Sequence, residues 1–200
     1  MGKNVLVIDA CVRREESRTK QLMDTAVGEL RELHPDWNFE ILNLMELDLK
    51  YWNTETLKER DALIAKKEYG HPVFRYGRQF READGIIAAA PFWDLSVPAV
   101  LKVYIENVSA DQITFASSAD GLHGICRGKW LLFLTTRGGL WADSDMEQGS
   151  PYMEALSRFF GIDSYYCVYA DGVDIQELDA GAIMEKARED TRRVCRQLAL

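Results

Sequence analysis

The sequence has no apolar run near the roughly 20 residues that span a bilayer; its longest, Ile86 to Trp93, has eight residues and contains Pro91. No membrane partner is expected. Cysteine is scarce, and Cys11, Cys126, Cys167 and Cys195 stand far apart without a CxxC spacing. Neither a disulfide framework nor a zinc site is expected from them. His34, His71 and His123 show no pairing pattern, so no metal is expected either. Positive charge is in deficit: 24 Lys and Arg stand against 32 Asp and Glu, a net charge of −8, which argues against a nucleic-acid or anionic-membrane partner. No Gly/Ser/Pro linker, low-complexity tract or internal repeat divides the chain, and residues 1–200 read as one domain. The start, Met1-Gly2-Lys3-Asn4-Val5, enters a β-branched run with no apolar stretch leading to a cleavage site, so the cytoplasm is the expected compartment.

What the chain does have is alternation. Val5–Ile8, Phe39–Leu42, Gly85–Ala90, Trp130–Thr135 and Tyr165–Tyr169 are short, nearly uncharged runs, as strands covered on both faces are. Helical periodicity lies between them, with Leu22, Ala26, Leu30 and Leu33 on one stripe and Val100, Leu101, Tyr104, Ile105 and Val108 on another. Ser17, Ser96 and Ser150-Pro151 read as helix starts and Gly161 as a stop. Ile183, Ala187, Val194, Cys195 and Leu198 mark a terminal packing helix. The segment Asp48 to Arg78 mixes periods, and a helix plus a loop able to lid a site is expected there. Strands alternating with helices give an α/β doubly wound parallel sheet of five strands, in the flavodoxin-like order 2-1-3-4-5, with helices on both faces. In that architecture ligands bind beyond the carboxyl ends of the strands.

Three loops fall there. The first, Asp9 to Lys20, lacks GxGxxG and GxxxxGK[ST], which excludes the usual dinucleotide and nucleoside-triphosphate cradles. Ser17, Arg18 and Thr19 nevertheless sit at a helix start, where free amides and the dipole favour an anion. Arg13 to Lys20 holds four basic and two acidic residues, a patch suited to a phosphate monoester. The second loop, Pro91-Phe92-Trp93-Asp94-Leu95-Ser96, places two aromatics after the central strand, where a planar ring can stack. The third, Thr135-Thr136-Arg137-Gly138-Gly139-Leu140-Trp141, offers hydroxyl, guanidinium and bare amide donors, suited to the carbonyl and ring-nitrogen edge of a flavin.

In this order and register the loops resemble those of the FMN-dependent NADH-azoreductase and NAD(P)H quinone reductase family of flavodoxin-like proteins. Val5-Leu6-Val7-Ile8, Ser17-Arg18-Thr19, Ala90 to Leu95 with Pro98 and Leu101-Lys102, and Thr136 to Gly139 carry the resemblance. So does the stretch from Pro151-Tyr152 through Phe159-Phe160-Gly161-Ile162 to Ala170-Asp171-Gly172. The resemblance implies an FMN-dependent oxidoreductase that takes a hydride from NADH or NADPH and passes electrons, by a ping-pong scheme, to a quinone, azo compound or similar conjugated acceptor. It implies a phosphate site at Cys11, Ser17, Arg18 and Thr19, a flavin-edge loop at Pro91, Phe92, Trp93, Asp94 and Leu95, and a pyrimidine-end loop at Thr136, Arg137, Gly138 and Gly139. It also implies a homodimer, with Phe159 reaching the neighbouring subunit's site and Phe115 in the substrate pocket. No catalytic side chain is required, since the flavin carries the chemistry.

Two positions depart from the family pattern. Cys11 stands where a serine is common; a thiol donates weakly, so modest FMN affinity is expected. Asp94 replaces a common asparagine, and its carboxylate is expected to lower the flavin potential or alter the pocket. Small residues over Phe115-Ala116-Ser117-Ser118 suggest an open pocket, with His123 at its rim or on the surface. The alternative function is a flavodoxin-type FMN electron carrier whose acidic surface meets a protein partner.

Overall fold

The computed structural model of the protein describes residues 2–198. Its elements run β1 (Asn4–Asp9), α1 (Arg18–Leu33), β2 (Asn38–Asn43), α2 (Thr54–Ala65), α3 (Arg75–Glu82), β3 (Gly85–Ala89), α4 (Ala99–Val108), β4 (Phe115–Ser118), β5 (Gly121–Gly124), β6 (Trp130–Arg137), α5 (Gly149–Phe160), β7 (Ser164–Asp171) and α6 (Ala180–Leu198). The expected runs form a parallel sheet in the order β2-β1-β3-β6-β7, which is the doubly wound, flavodoxin-like order.

Alternate residues of the strands feed two cores. Val5, Val7, Ile87, Ala89, Leu132 and Leu134 face α1 and α6, while Leu6, Ile8, Ile86, Ala88, Leu131 and Phe133 face α3, α4 and α5. Only β1, β3 and β6 are covered on both sides almost throughout. β2 and β7 are the edges, so Ile41 and Tyr169 remain exposed, contrary to the expectation of full cover. Leu33, in the last turn of α1, is likewise outside the core.

Local signals fare unevenly. Ser17 caps α1 by accepting from the Lys20 amide at 3.3 Å, and Gly161 ends α5 in the left-handed region with φ 77°. Ser96 is no cap, because α4 begins at Ala99 after Pro98. Ser150 lies inside the first turn of α5, whose Gly149 and Ser150 amides are satisfied by the Glu147 carboxylate at 2.8 and 2.9 Å. A carboxylate two residues upstream outcompetes the hydroxyl there.

The antiparallel hairpin β4–β5 was not expected, since its short strands carry few β-branched or aromatic residues. It packs on the end of α5, where a Cβ on Gly124 would stand 2.0 Å from the Phe160 backbone. Asp48 to Arg78 is no lid. Trp52 Nε1 donates to Glu106 O at 3.1 Å and Asn107 Nδ2 to Lys50 O at 3.0 Å, which fixes the segment at the C-terminal end of α4. No helix among the described residues is long and apolar enough to cross a membrane.

Gly85 shows how tightly the sheet packs. It pairs with Trp130, and a Cβ there would lie 2.2 Å from the indole. Gly85→Ala is expected to cost about 1–3 kcal/mol, read as a lower urea midpoint at unchanged slope. An unchanged midpoint would show that the indole can move aside.

Candidate flavin cleft

Beyond the carboxyl ends of the strands lies a cleft of about 540 Å³, lined by the three expected loops together with Val173 and Asp174, which follow β7. Its chemistry is graded. Arg13, Ser17 and Arg18 stand at the α1 end, and Phe92, Trp93, Leu95 and Trp141 form an aromatic and apolar wall.

The loops are tied to one another by hydrogen bonds. Phe92 N donates to Thr136 O at 3.0 Å, and the hydroxyls of Thr136 and Thr19 lie 2.7 Å apart. Gly172 N is shared between Arg137 O and Gly139 O at 3.0 and 2.9 Å. The second loop turns through Trp93 and Ser96, which exchange backbone bonds of 3.0 and 2.8 Å around Asp94 (φ 47°) and Leu95 (φ 66°). Two consecutive left-handed residues define a type I′ turn, a conformation costly for leucine and cheaper for aspartate. The turn holds Trp93 and Leu95 at the mouth of the cleft, 39% and 41% exposed.

Of the thirteen residues expected to hold a cofactor, ten line the cleft: Ser17, Arg18, Pro91, Phe92, Trp93, Asp94, Leu95, Thr136, Gly138 and Gly139. Three lie behind it. Cys11 is fully buried, its thiol directed to Ala89 O at 3.7 Å, and Thr19 is buried against Thr136. Arg137 is 2% exposed, with its guanidinium bound to Asp171 Oδ1 at 3.1 Å, Glu147 Oε2 at 3.3 Å and Ser150 Oγ at 2.8 Å. It stacks over Tyr169, 4.4 Å from the ring centroid, and points inward because both carboxylates are there.

Phe115 and Phe159 are outside the cleft as well. Their rings pack on each other at 5.0 Å where β4 meets the end of α5. His123 is bound to Ser118 Oγ at 3.0 Å within the exposed hairpin. Arg13, Glu16 and Trp141 belong to the expected loops without being among the residues expected to hold a cofactor, and the sequence reading missed Val173 and Asp174 altogether. The last two carry a readable signal, because they follow the fifth strand at its carboxyl end, where the same rule of strand ends applies.

The basic patch of the first loop is mostly consumed internally. Arg14, in a left-handed conformation at φ 53°, donates to Asp9 Oδ2 and Asn43 Oδ1, both at 2.8 Å. Lys20 binds Asp24 at 2.9 Å, and Arg18 binds Asp174 at 2.6 Å. The cleft therefore presents two arginines, Arg13 and Arg18, among three carboxylates, Glu16, Asp94 and Asp174.

The glycines work by size, since neither Gly138 nor Gly139 is left-handed. A Cβ on Gly138 would stand 2.6 Å from Asp174 Oδ2, and one on Gly139 2.8 Å from Trp141 Nε1. The bare backbone is what keeps this end open. A planar heteroaromatic ring between the aromatic wall and these glycines, with a phosphate toward Ser17, Arg18 and the first amides of α1, fits this donor set.

No side-chain nucleophile is poised here. Burial pushes the Cys126 and Cys195 thiols up to about 12 and raises those of Cys11 and Cys167. No group of acidic, histidine or cysteine side chains able to hold a metal occurs among the described residues.

The sequence matches the family described as Flavodoxin-like fold over residues 3–194, and the chain belongs to that family. Within it, the chain is similar to the FMN-dependent NADH:quinone oxidoreductase of Clostridium beijerinckii, at 30% identity over 193 residues, 96% of this chain and 98% of the relative. It is similar at 32% identity over 198 residues to FMN-dependent NADH:quinone oxidoreductase 2 of Clostridium acetobutylicum, covering 94% and 98% of the two chains. The crystal structure of an azoreductase from Bacillus anthracis superposes with a TM-score of 0.87 at 23% identity, over 98% of this chain and 100% of the other. That likeness bears on the fold.

Three tests follow from the geometry and the buried thiols. Arg137→Met strands two buried carboxylates and is expected to cost about 3–5 kcal/mol in chemical denaturation; a loss below 1 kcal/mol would mean the cluster is not a buried ion network. A raised thiol pKa stabilises the folded state below the unfolded value of 9.0 and loses that contribution as pH climbs toward about 12. Unfolding midpoints are thus expected to fall above pH 9. At pH 8 a thiol reagent should leave Cys11 and Cys195 unmodified in the native protein and modify all four cysteines in denaturant; rapid native modification of Cys11 or Cys195 would contradict their burial.

Proposed function

We propose that the chain is an FMN-dependent NAD(P)H oxidoreductase of the quinone reductase and azoreductase type, with FMN in the cleft. The observation that carries this is the convergence of an aromatic wall, a bare glycine edge and a helix start bearing Ser17 and Arg18 in one cleft at the strand ends. The relatives' names, FMN-dependent NADH:quinone oxidoreductase, support the same reading over that of an electron carrier.

Bound FMN would supply hydride acceptance and donation. The residues of the chain do the rest. Ser17, Arg18 and the opening amides of α1 would hold the phosphate, and the Pro91–Leu95 turn would fix the edge of the ring system. The amides of Gly138 and Gly139 would donate to the pyrimidine end, where negative charge gathers on reduction. Trp93, exposed at the mouth, and Phe92, packed on Trp141 at 5.5 Å, would exclude water and give a flat acceptor its stacking surface. One open face serves donor and acceptor in turn, so ping-pong kinetics are expected.

The homodimer belongs to this proposal. Phe115 and Phe159 lie outside their own chain's cleft, so any contact of theirs with a flavin has to be made in a second copy. A cytoplasmic location is part of the same reading.

The test is the anaerobic visible spectrum of the protein loaded with FMN and freed of excess, before and after NADH and then NADPH. A retained band that bleaches with a nicotinamide, and recovers on adding a benzoquinone, is expected. A retained band that neither nicotinamide bleaches would favour the electron carrier, and no retained band would overturn both.

A further inference from the structure

The phosphate end of the cleft contains a carboxylate that serves no purpose in binding a phosphate. Asp174 Oδ1 accepts from Arg18 Nη1 at 2.6 Å, across the cleft from α1 to the segment after β7. Its position is set by backbone, since Asp174 N donates to Gly138 O at 3.1 Å and Gly172 N is held by Arg137 O and Gly139 O. The other oxygen, Oδ2, lies 2.6 Å from where a Gly138 Cβ would stand, so the carboxylate rests against the third loop.

Arg18 has no comparable anchor. Its backbone opens α1, and its side chain is 40% exposed and held by this ion pair, while that of Asp174 is 68% exposed. An exposed pair of this kind is weak and exchanges readily. Of the loop's other basic residues, Arg14 and Lys20 have carboxylate partners of their own away from the cleft, which leaves Arg13 as the second cation lining it.

We propose that Asp174 is a specificity-determining residue, a built-in competitor for Arg18 that sets how strongly the cleft prefers a phosphorylated flavin to its unphosphorylated form. This rests on the FMN reading and deepens it. To meet a phosphate monoester at the start of α1, Arg18 turns away from Asp174, and the carboxylate then faces a dianion. A ligand without the phosphate leaves the pair intact and is indifferent to Asp174. The carboxylate therefore weakens one ligand and spares the other.

The experiment measures equilibrium dissociation constants for FMN and for riboflavin by flavin fluorescence quenching, at low ionic strength. The proteins are wild type, Asp174→Asn, Asp174→Ser, Arg18→Gln and the Arg18→Gln/Asp174→Asn double variant. Both Asp174 variants are expected to bind FMN about three- to tenfold more tightly, the combined scale of no longer breaking an exposed ion pair and of removing one nearby like charge, with riboflavin binding unchanged. In the Arg18→Gln background the gain is expected to shrink, because the pair no longer has to be broken. Unchanged FMN binding in both Asp174 variants, equal tightening of riboflavin, or an undiminished gain without Arg18 overturns the proposal while the FMN reading stands. Failure of the wild type to bind either flavin overturns the FMN reading, and this inference with it.

Discussion

Arg137 sits between Glu147 and Asp171, 2% exposed, and two of the three cleft loops are fastened to this cluster or to the residue beside it. Asp171, at the end of β7, also accepts from the Trp141 and Ala142 amides at 2.9 and 2.6 Å, fixing the segment that follows the glycines. Glu147 takes the first free amides of α5, and Gln148 beside it donates to Leu95 O at 2.9 Å, connecting the cluster to the Trp93–Ser96 turn. One cation thus holds β6, β7, the start of α5 and two cleft loops in register. A buried ion cluster is an expensive way to gain stability, because desolvation offsets much of the Coulombic attraction. Its advantage is geometric: charge-assisted bonds of fixed direction allow few alternative arrangements.

The same economy governs the first loop. Its sequence carries four basic residues, yet the structure assigns Arg14 to the Asp9 carboxylate below the cleft and Lys20 to the flank of α1. What reaches the cleft is a helix start, a hydroxyl and two arginines among three carboxylates. An anion held here would depend on oriented amides and exchangeable ion pairs more than on net charge, in keeping with a chain of net charge −8.

The sheet was legible because its strands are apolar runs bounded by turn residues, and the order followed from their alternation with helices. The cleft loops were legible for a related reason: the doubly wound topology places the carboxyl ends of strands around one crevice, so reading after each strand finds them. Direction was not legible. Nothing in Thr136-Arg137-Gly138-Gly139 states that the guanidinium turns inward, since Glu147 and Asp171 are brought to it by α5 and β7. Cys11 and Thr19 belong to the same class, being next to the cleft in sequence and buried beneath it in space. The hairpin β4–β5 lay beyond reach because its stability comes from packing on α5 and not from its own residues.

The central claim is that FMN binds where the three loops converge. Hydrogen–deuterium exchange with and without saturating FMN tests it most directly, since exchange reports protection segment by segment. The account predicts slowed exchange in residues 13–20, 91–96, 136–142 and 172–174, with no change over residues 50–76, which line a separate cavity of about 370 Å³ between α2, α3 and the end of α4. Protection confined to residues 50–76, with the strand-end loops unaffected, would contradict it.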